Sequence, residues 1–466
     1  MVFREKRMHR LFVILLLVFP ASPLPADPGP APAPGLLLIS IDGLRPDYVT
    51  RADDHGLKIP NLRRLLRDGV HASGVRGVLP TSTYSGHTTI ITGAAPARHG
   101  IVWNNPFAGP ASDRGNWYWY AEDIRVPTLW QAAARAGRVV GSVSWPVSVG
   151  AEIAFNIPEY NLTRTADDAK MVRALAPPGL MAELEGKAGP YVMDLEQAVL
   201  RDESRTRWAV EILRQKRAQF LAVHLAATDH FQHRHGPFSP PVLDALEKID
   251  AMIGDLAGAV LAADPKSVIA VVSDHGFAKV DRELRLDAAF VEAGLVSCKT
   301  RGGTLEDSKV GEWTAMPWSS GGSAAILMKN PGDAEARRRV GEFLASLAAD
   351  PANGIAAVLD RPALDALGAS PDAAFWVDLK PGVWLNPSLD GPRAGPISVR
   401  GSHGYSPEHP EMNSLFLLAG AGVRRGVELG LTDMRAIAPT LARAMGVPFP
   451  SAELPPLDVF AENGGR

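Results

Sequence analysis

The sequence predicts an α/β fold built on a mostly parallel β-sheet, and two patterns support this prediction. Short apolar runs have the composition of strands that are buried on both faces. Between them, residues 241–262 repeat apolar side chains at spacings of three and four behind Ser239-Pro240-Pro241, which is typical of a helix. Strands that alternate with helices favour a parallel sheet. The predicted strands are Leu36–Ile41, Phe220–Leu225, Val268–Val272 and Leu415–Leu418.

Ionisable residues follow three of these strands at or near their carboxyl ends. Asp42 follows the first strand, Asp229 comes shortly after the second, and Asp274-His275 follows the third. Because ligand sites in open α/β sheets lie at the carboxyl ends of the strands, we expect distant segments to deliver these side chains to one place.

The order of strands and helices also indicates how the chain is divided. Residues 293–395 are rich in Gly and Pro and have few strand signals, apart from one strand at Ser323–Met328 and one helix at 333–349. We interpret 293–395 as an inserted subdomain or cap, with the core domain formed by 35–292 and 396–466.

The N-terminal residues have the pattern of an export signal. Four basic residues precede the apolar run Leu11–Phe19, which is shorter than the ~20 residues needed to cross a bilayer, and small residues follow it. We expect 1–26 to be a cleaved signal peptide and 27–34 a Pro-rich leader. The mature chain would then have no stable membrane insertion. Its Ala, Arg and Pro richness indicates a bacterial source, so we expect a periplasmic or secreted protein.

The charge balance narrows the class of partner. The formal net charge is -3, and the chain has no long basic run. This argues against binding to nucleic-acid polymers, which requires neutralisation of many phosphates. A small phosphate ester could instead be attracted by a bound metal. The sequence does not indicate the oligomeric state.

Three short motifs carry side chains that bind divalent metals. Asp229 and His233 are four residues apart, so on a helix they share one face. Asp274-His275 ends a buried run, where ionisable groups are costly unless they are paired or metal-bound. His403 lies between Gly401 and Gly404 in a short loop. Taken singly, each has an ordinary alternative: a solvated loop, a hydrogen-bonded pair or an exposed histidine.

A hydroxyl-rich segment, Pro80–Thr89, contains a candidate nucleophile at Thr83. A hydroxyl is a poor nucleophile at neutral pH unless a base or a metal lowers its pKa. The ordinary alternative is a helix N-cap or a Ser/Thr turn. Ser82 and Ser85 compete with Thr83 locally, and the residue pattern alone does not choose among the three.

Together, three carboxylates, three imidazoles and one alkoxide make two complete metal sites. Two divalent cations would balance three aspartates and one ionised threonine, and near-neutrality is what a buried site requires. The candidate ligands are Asp42, Thr83, Asp229, His233, Asp274, His275 and His403.

Six motifs, in the order in which they occur along the chain, resemble those of the nucleotide pyrophosphatase/phosphodiesterase (type I phosphodiesterase) family of the alkaline phosphatase superfamily. The resemblance extends from about residue 36 to 450 and implies an alkaline-phosphatase-like three-layer α/β/α sandwich. The motifs lie at Asp42–Tyr48, Pro80–Thr83, Thr92–Ile101, Asp229–Pro237, Ser273–Gly276 and His403–Tyr405.

The resemblance also implies a cofactor and a mechanism. Two zinc ions, or other divalent metals, would be bound, one by Asp229, His233 and His403. The other would be bound by Asp42, Asp274, His275 and the Thr83 oxygen. Thr83 would attack phosphorus to form a covalent phospho-threonine, which water then hydrolyses.

The family pattern assigns two further residues to the substrate. Asn104 falls where an amide donates to a phosphate oxygen, with Asn105 as the alternative. Tyr84 falls where an aromatic side chain stacks on a base, with a packed ring as the alternative. At the position before Asp229 where the family pattern has a second stacking aromatic, this chain has His224, so the pattern of a base clamp is incomplete.

The resemblance implies a phosphodiesterase or nucleotide pyrophosphatase acting on a small phosphate ester, possibly a nucleotide. Ser85-Gly86-His87 instead resembles some monoesterases, but their Lys-x-Arg pair is replaced by Ser144-Trp145-Pro146-Val147. A diester carries less charge and needs less cationic binding. The alternatives are an alkaline phosphatase-type phosphomonoesterase, a phosphonate hydrolase and, outside the enzymes, a metal-dependent phosphate-ligand binding protein.

Overall fold

The computed structural model describes residues 34–107, 116–160, 168–298, 303–305, 310–397 and 399–461. These residues belong to one compact unit that begins at Pro34. The predicted signal peptide and all but the last residue of the predicted leader lie outside the described residues. Within the described ranges, no helix is both long enough and apolar enough to cross a membrane.

Eight strands form the central sheet, and they are numbered β1 to β8 in chain order with the bounds given at the end of this paragraph. Across the sheet they lie in the order β8-β2-β7-β6-β1-β5-β3-β4. All are parallel except β7, which runs antiparallel to both of its neighbours. The mostly parallel sheet predicted from the sequence is therefore confirmed. The strands are β1 (Leu36–Ile41), β2 (Val70–His71), β3 (Val140–Val143), β4 (Phe155–Ile157), β5 (Phe220–Leu225), β6 (Val268–Val272), β7 (Phe416–Gly420) and β8 (Val427–Glu428).

Helices cover both faces of this sheet, because side chains that alternate along each strand belong to two separate apolar cores. In β1, Leu37 and Ile39 face one core, whereas Leu36 and Leu38 face the other. This arrangement is the expected three-layer α/β/α sandwich. The first core contains helices Pro60–Asp68, Leu180–Ala188, Ala198–Glu211 and Pro240–Ala263, and the second contains Thr83–Thr92, Leu129–Arg135 and Ile437–Ala444.

A second, antiparallel sheet of four strands lies within the segment predicted to be an insertion. The predicted strand at Ser323–Met328 is confirmed, and the predicted helix forms Ala334–Ala349. That helix contributes Val340 and Leu344 to a third apolar core with the sheet. The other three strands of this second sheet were not predicted. They are Ala315–Ser320, Ile355–Leu359 and Ala373–Leu379.

The carboxyl-terminal end of the predicted insertion lies close to the core domain. Strand Ala394–Pro396 pairs with Arg282–Leu284, and Gly401–Ser402 pairs with Ala278–Lys279. The domain boundaries at 293 and 395 stay predictions. The remaining described α-helices are Asp47–Thr50, Pro96–His99, Asp168–Leu175, Ala227–His235, Leu286–Glu292 and Arg361–Ala366, and the remaining short strands are Gly74–Arg76, Val296–Cys298, Val310–Trp313, Val383–Leu385 and Leu431–Asp433.

Candidate active site

Thr83 is the first residue of helix Thr83–Thr92, behind the N-cap residue Ser82. Its Oγ1 lies 3.4 Å from Nε2 of His275. The two competing hydroxyls are fully buried and point elsewhere: Ser82 Oγ and Ser85 Oγ lie 2.9 Å apart, and Ser85 Oγ donates to Pro80 O at 3.0 Å. The contact with His275 therefore separates Thr83 from both alternatives.

One cluster of side chains surrounds His275 at the carboxyl ends of β1 and β6. Nε2 of His275 lies 3.3 Å from Asp42 Oδ1 and 3.2 Å from Asp274 Oδ2. Its Nδ1 lies 3.0 Å from Gly276 O, which orients the ring. Asp42, Asp274, His275 and the Thr83 hydroxyl are thus brought together.

A second cluster surrounds Asp229, which lies on helix Ala227–His235 after β5. Asp229 Oδ1 is 3.4 Å from His233 Nε2 and 3.7 Å from His403 Nε2. The Nδ1 atoms of these histidines face backbone oxygens of Gly401 at 3.2 Å and Thr81 at 3.0 Å. Both rings are therefore held with Nε2 directed at one carboxylate.

The two clusters adjoin, because the rings of His275 and His403 stack with their centroids 3.7 Å apart. Ligand atoms of Asp229, His233 and His403 lie within 4.8 Å of one another, as do those of Asp42, Asp229 and His275. The structure brings all seven predicted ligands to one edge of the sheet.

The carboxylates have polar atoms that the protein leaves unsatisfied. Asp42 Oδ1, Asp229 Oδ1 and Asp274 Oδ2 are buried without a hydrogen-bond partner among the described residues. Such atoms are rare in folded proteins and require an explanation such as a missing ion. Carboxylate oxygens with imidazole nitrogens are donors that zinc accepts, so the residues fit a divalent metal.

Burial sets the protonation of these groups in the metal-free protein. Burial, together with the charges of Asp274 and Asp229, raises the pKa of Asp42 well above its ordinary value. Burial lowers the pKa of His275 to about 4 and that of His403 to about 3. Both imidazoles are therefore neutral near pH 7, which is the form that binds metal.

Two further histidines lie directly behind the clusters and were not predicted as site residues. His224 Nε2 lies 3.1 Å from Asp42 Oδ2, and its Nδ1 is 3.2 Å from Ser144 O. His87 Nδ1 lies 2.7 Å from Thr83 O and 3.4 Å from Asp274 Oδ2. Partners of this kind orient metal ligands. A buried imidazole in the otherwise apolar β5 was the sequence signal for His224.

Tyr84 lies at the start of helix Thr83–Thr92, and Asn104 contacts it from the loop that follows Ile101. Asn104 Oδ1 accepts a hydrogen bond from the Tyr84 backbone N–H at 3.0 Å, which leaves the Nδ2 group to donate. The Tyr84 ring is buried and packs edge-on against Trp117 and Trp119. The ring therefore matches the packing alternative, and stacking on a base stays a prediction.

Comparison with known proteins identifies the family. Residues 36–421 match the family described as Type I phosphodiesterase / nucleotide pyrophosphatase. Human ectonucleotide pyrophosphatase/phosphodiesterase family member 1 is 25% identical over 264 residues, which cover 54% of this chain and 24% of the human protein. Venom phosphodiesterase CdcPDE of Crotalus durissus collilineatus is 24% identical over 255 residues, which cover 53% and 26%. The chain thus matches about a quarter of the length of these curated relatives.

Solved structures support the fold. Human ectonucleotide pyrophosphatase/phosphodiesterase 5 superposes with a TM-score of 0.62 at 20% identity, covering 89% of this chain and 95% of that one. The murine protein, in an inactive form in complex with AMP, gives a TM-score of 0.62 at 19% identity, covering 91% and 96%. With the match over residues 36–421, the chain belongs to the type I phosphodiesterase/nucleotide pyrophosphatase family.

Proposed function

We propose that this chain is a two-metal phosphodiesterase or nucleotide pyrophosphatase that hydrolyses phosphodiester or phosphoanhydride bonds through a phospho-threonine on Thr83. The observation that carries the proposal is the position of Thr83 Oγ1, which lies 3.4 Å from His275 Nε2 at the edge of the carboxylate and imidazole clusters. Membership in the family supports the reaction class.

Two divalent cations would be held by these clusters. The combination of carboxylate and imidazole ligands favours zinc. Asp229, His233 and His403 would hold one ion, and Asp42, Asp274, His275 and Thr83 the other. When bound, the ions would polarise the phosphate and favour ionisation of the threonine hydroxyl.

The protein side chains have separate roles in the two displacements. Thr83 Oγ1 forms a bond to phosphorus while the bond from phosphorus to the leaving oxygen breaks, and the proton that the hydroxyl gives up ends on the leaving oxygen. Asn104 Nδ2 donates to a non-bridging oxygen, where negative charge accumulates. In the second step a water oxygen bonds to phosphorus, the Thr83 Oγ1–phosphorus bond breaks, and the proton from water restores the threonine hydroxyl. His87 positions Thr83 through its backbone carbonyl.

Diesters are favoured over monoesters by the charges near the site. Among the described residues, no lysine or arginine forms an ion pair with Asp42, Asp229 or Asp274 within 4.0 Å. The buried Arg205 donates to Asp202 at 3.1 Å and to His224 O at 3.2 Å, so its guanidinium faces protein groups. The complex of a solved relative with AMP makes a nucleotide a reasonable substrate class. Export to the periplasm is also part of this proposal.

The test compares bis-p-nitrophenyl phosphate with p-nitrophenyl phosphate for the wild type, Thr83→Ala and the matched hydroxyl deletion Ser85→Ala. Removing the nucleophile should lower kcat on the diester by about 10³-fold or more, because the covalent pathway cannot proceed without it. Ser85→Ala should retain turnover, since its hydroxyl bonds only to protein groups.

Three outcomes would contradict parts of the proposal. Faster monoester turnover by the wild type would favour the phosphomonoesterase alternative. Undiminished activity in Thr83→Ala would remove Thr83 as the nucleophile. Tight binding of phosphate without turnover would favour a metal-dependent binding protein. Metal analysis of the same sample tests the choice of zinc.

A further inference from the structure

A cavity of about 440 Å³ lies beside the loop that carries Asn104. One part of its wall is formed by Trp103, Asn105 and Phe107 of this loop, and another part by Trp318 and Leu327 of the second sheet. None of the seven proposed metal ligands lines it. Its volume is in the range that encloses a small-molecule ring system.

Both walls connect the cavity with the candidate active site. In the loop, Asn104 lies between two lining residues. In the second sheet, the strand that carries Trp318 ends at Ser320, and the turn that follows packs on the His403 loop. Gly322 N donates to His403 O at 2.9 Å, and a Cβ on Gly321 would lie 2.2 Å from the same oxygen. Both walls therefore belong to segments that also contribute to, or contact, the candidate active site.

A second cavity among the described residues is much smaller. The space near Tyr160, Tyr191 and Arg205 measures about 10 Å³, which is at the lower limit for one water molecule. Tyr84 is buried and packs against Trp117 and Trp119. Among the described residues, the cavity is thus the larger space for an ester group.

The cavity is lined by aromatic rings, by three cationic side chains and by one carboxylate, that of Asp372. Trp103, Phe107 and Trp318 present apolar rings, and flat ligands pack well against such groups. Arg337 also lines the cavity and donates to Pro331 O at 3.1 Å.

Three cationic side chains line the cavity, and they differ in their partners. Lys329 is paired with Glu312 at 2.6 Å, and Arg361 with Asp365 at 3.0 Å. No carboxylate of the described residues lies within 4.0 Å of the Arg337 guanidinium. Its charge is therefore available to a ligand, and arginine suits carboxylates and phosphates because it can donate two parallel hydrogen bonds.

We propose that this cavity binds an aromatic substituent of the substrate that carries an additional anionic group, with Arg337 as the partner of that group. The assignment rests on the proposed phosphodiesterase function and adds the side of the site on which substrates are selected. According to this proposal, side chains of the second sheet, and not Tyr84, determine which substrates are preferred.

The test uses three diesters that all release p-nitrophenolate and carry methyl, phenyl or 4-carboxyphenyl as the second group. In the wild type, kcat/KM should rise in that order. Arg337→Gln should lower the ratio of the 4-carboxyphenyl to the phenyl ester by about tenfold, as expected for loss of a charged hydrogen bond. Phe107→Ala should lower the ratio of the phenyl to the methyl ester.

The matched control is Arg338→Gln. Arg338 is the next residue on the same helix, but it is exposed and paired with Glu335 and Glu342, so all three ratios should match the wild type. Equal kcat/KM for the three diesters, or identical ratios for Arg337→Gln and the wild type, would overturn the cavity assignment. No turnover of any diester by the wild type would instead overturn the phosphodiesterase proposal itself.

Discussion

At the scale of single residues, Asn104 shows how one side chain can act in two directions. Its Oδ1 accepts from the Tyr84 N–H and so fixes the start of the helix that carries Thr83. Its Nδ2 group is left to donate to the phosphate. Replacement by Asp keeps the acceptor, removes the donor and adds a negative charge, so it separates these two roles.

We predict that Asn104→Asp lowers kcat/KM by about 10²-fold or more, because a donor to the developing negative charge is typically worth that much. The melting temperature should stay close to that of the wild type, since the bond to Tyr84 N is kept. Steady-state kinetics and thermal unfolding on one sample give both readouts. Asn330→Ala, at an exposed turn, serves as the control. Full activity in Asn104→Asp would exclude the phosphate contact.

His224 acts on the site through Asp42, and this leads to a second prediction at the residue scale. Because His224 Nε2 lies 3.1 Å from Asp42 Oδ2, its removal should loosen one metal ligand without deleting it. We expect His224→Gln to weaken zinc binding by about 10- to 100-fold, the usual effect of losing a partner that orients a ligand. Competition with a chelator measures the affinity, and activity at saturating zinc should recover. Unchanged zinc affinity would show that Asp42 does not depend on this contact.

The predicted ligands and the missed histidines differ in what the sequence could reveal. Asp42, Asp229 and Asp274 could be found because parallel strands end at one edge of a sheet, so position in the chain indicated position in space. The family pattern supplied His403 and Thr83. His87 and His224 needed distances, because a histidine within a helix or an apolar strand has the same sequence signal whether or not it contacts a metal ligand.

At the scale of elements, helix Thr83–Thr92 approaches the strand end at Asp274 through a glycine. A Cβ built on Gly86 would lie 2.6 Å from Asp274 O, which is closer than non-bonded atoms come. The helix therefore needs a residue without a side chain at this point if Thr83 and Asp274 are to share one cluster. This explains why Gly86 stands between the two polar residues Ser85 and His87.

We predict that Gly86→Ala lowers both stability and activity. The added methyl must push the helix away from Asp274, and overpacking of this kind costs about 1–3 kcal/mol. Gly258→Ala is the matched control, because Gly258 lies exposed in helix Pro240–Ala263 with open space around its Cβ position. That substitution should stabilise the protein by about 0.5–1 kcal/mol. Urea unfolding of both variants measures the difference, and equal stability would contradict the close approach.

Element prediction succeeded where the apolar pattern was continuous and failed where pairing decides the structure. The bounds of β1, β5 and β6 follow from their nearly continuous apolar runs. The reversed direction of β7 could not be predicted, because a buried strand has the same composition in either direction. Three strands of the second sheet were also missed, since Pro317 interrupts one of them and the others alternate only weakly.

At the scale of the whole molecule, the site brings together the ends of β1, β5 and β6 and the loop that carries His403. The charges that these segments bury are not balanced by the protein alone. One buried oxygen of each of Asp42, Asp229 and Asp274 has no hydrogen-bond partner among the described residues. Binding of a cation only to the folded state must stabilise the entire fold, because the clusters do not exist in the unfolded chain.

We predict that chelation lowers the melting temperature and that added zinc restores it. A ligand at 1,000 times its dissociation constant contributes about 4 kcal/mol to the stability of the folded state. Asp274→Asn should lose much of this zinc-dependent gain, because it removes one anionic ligand. Asp255→Asn, an exposed residue of helix Pro240–Ala263, should keep the gain. Thr83→Ala should retain most of the gain, since six of the seven ligands stay.

A melting temperature that does not respond to chelator or zinc in the wild type would contradict metal binding at this site. A loss of the zinc response only in Asp274→Asn would locate the binding at the end of β6.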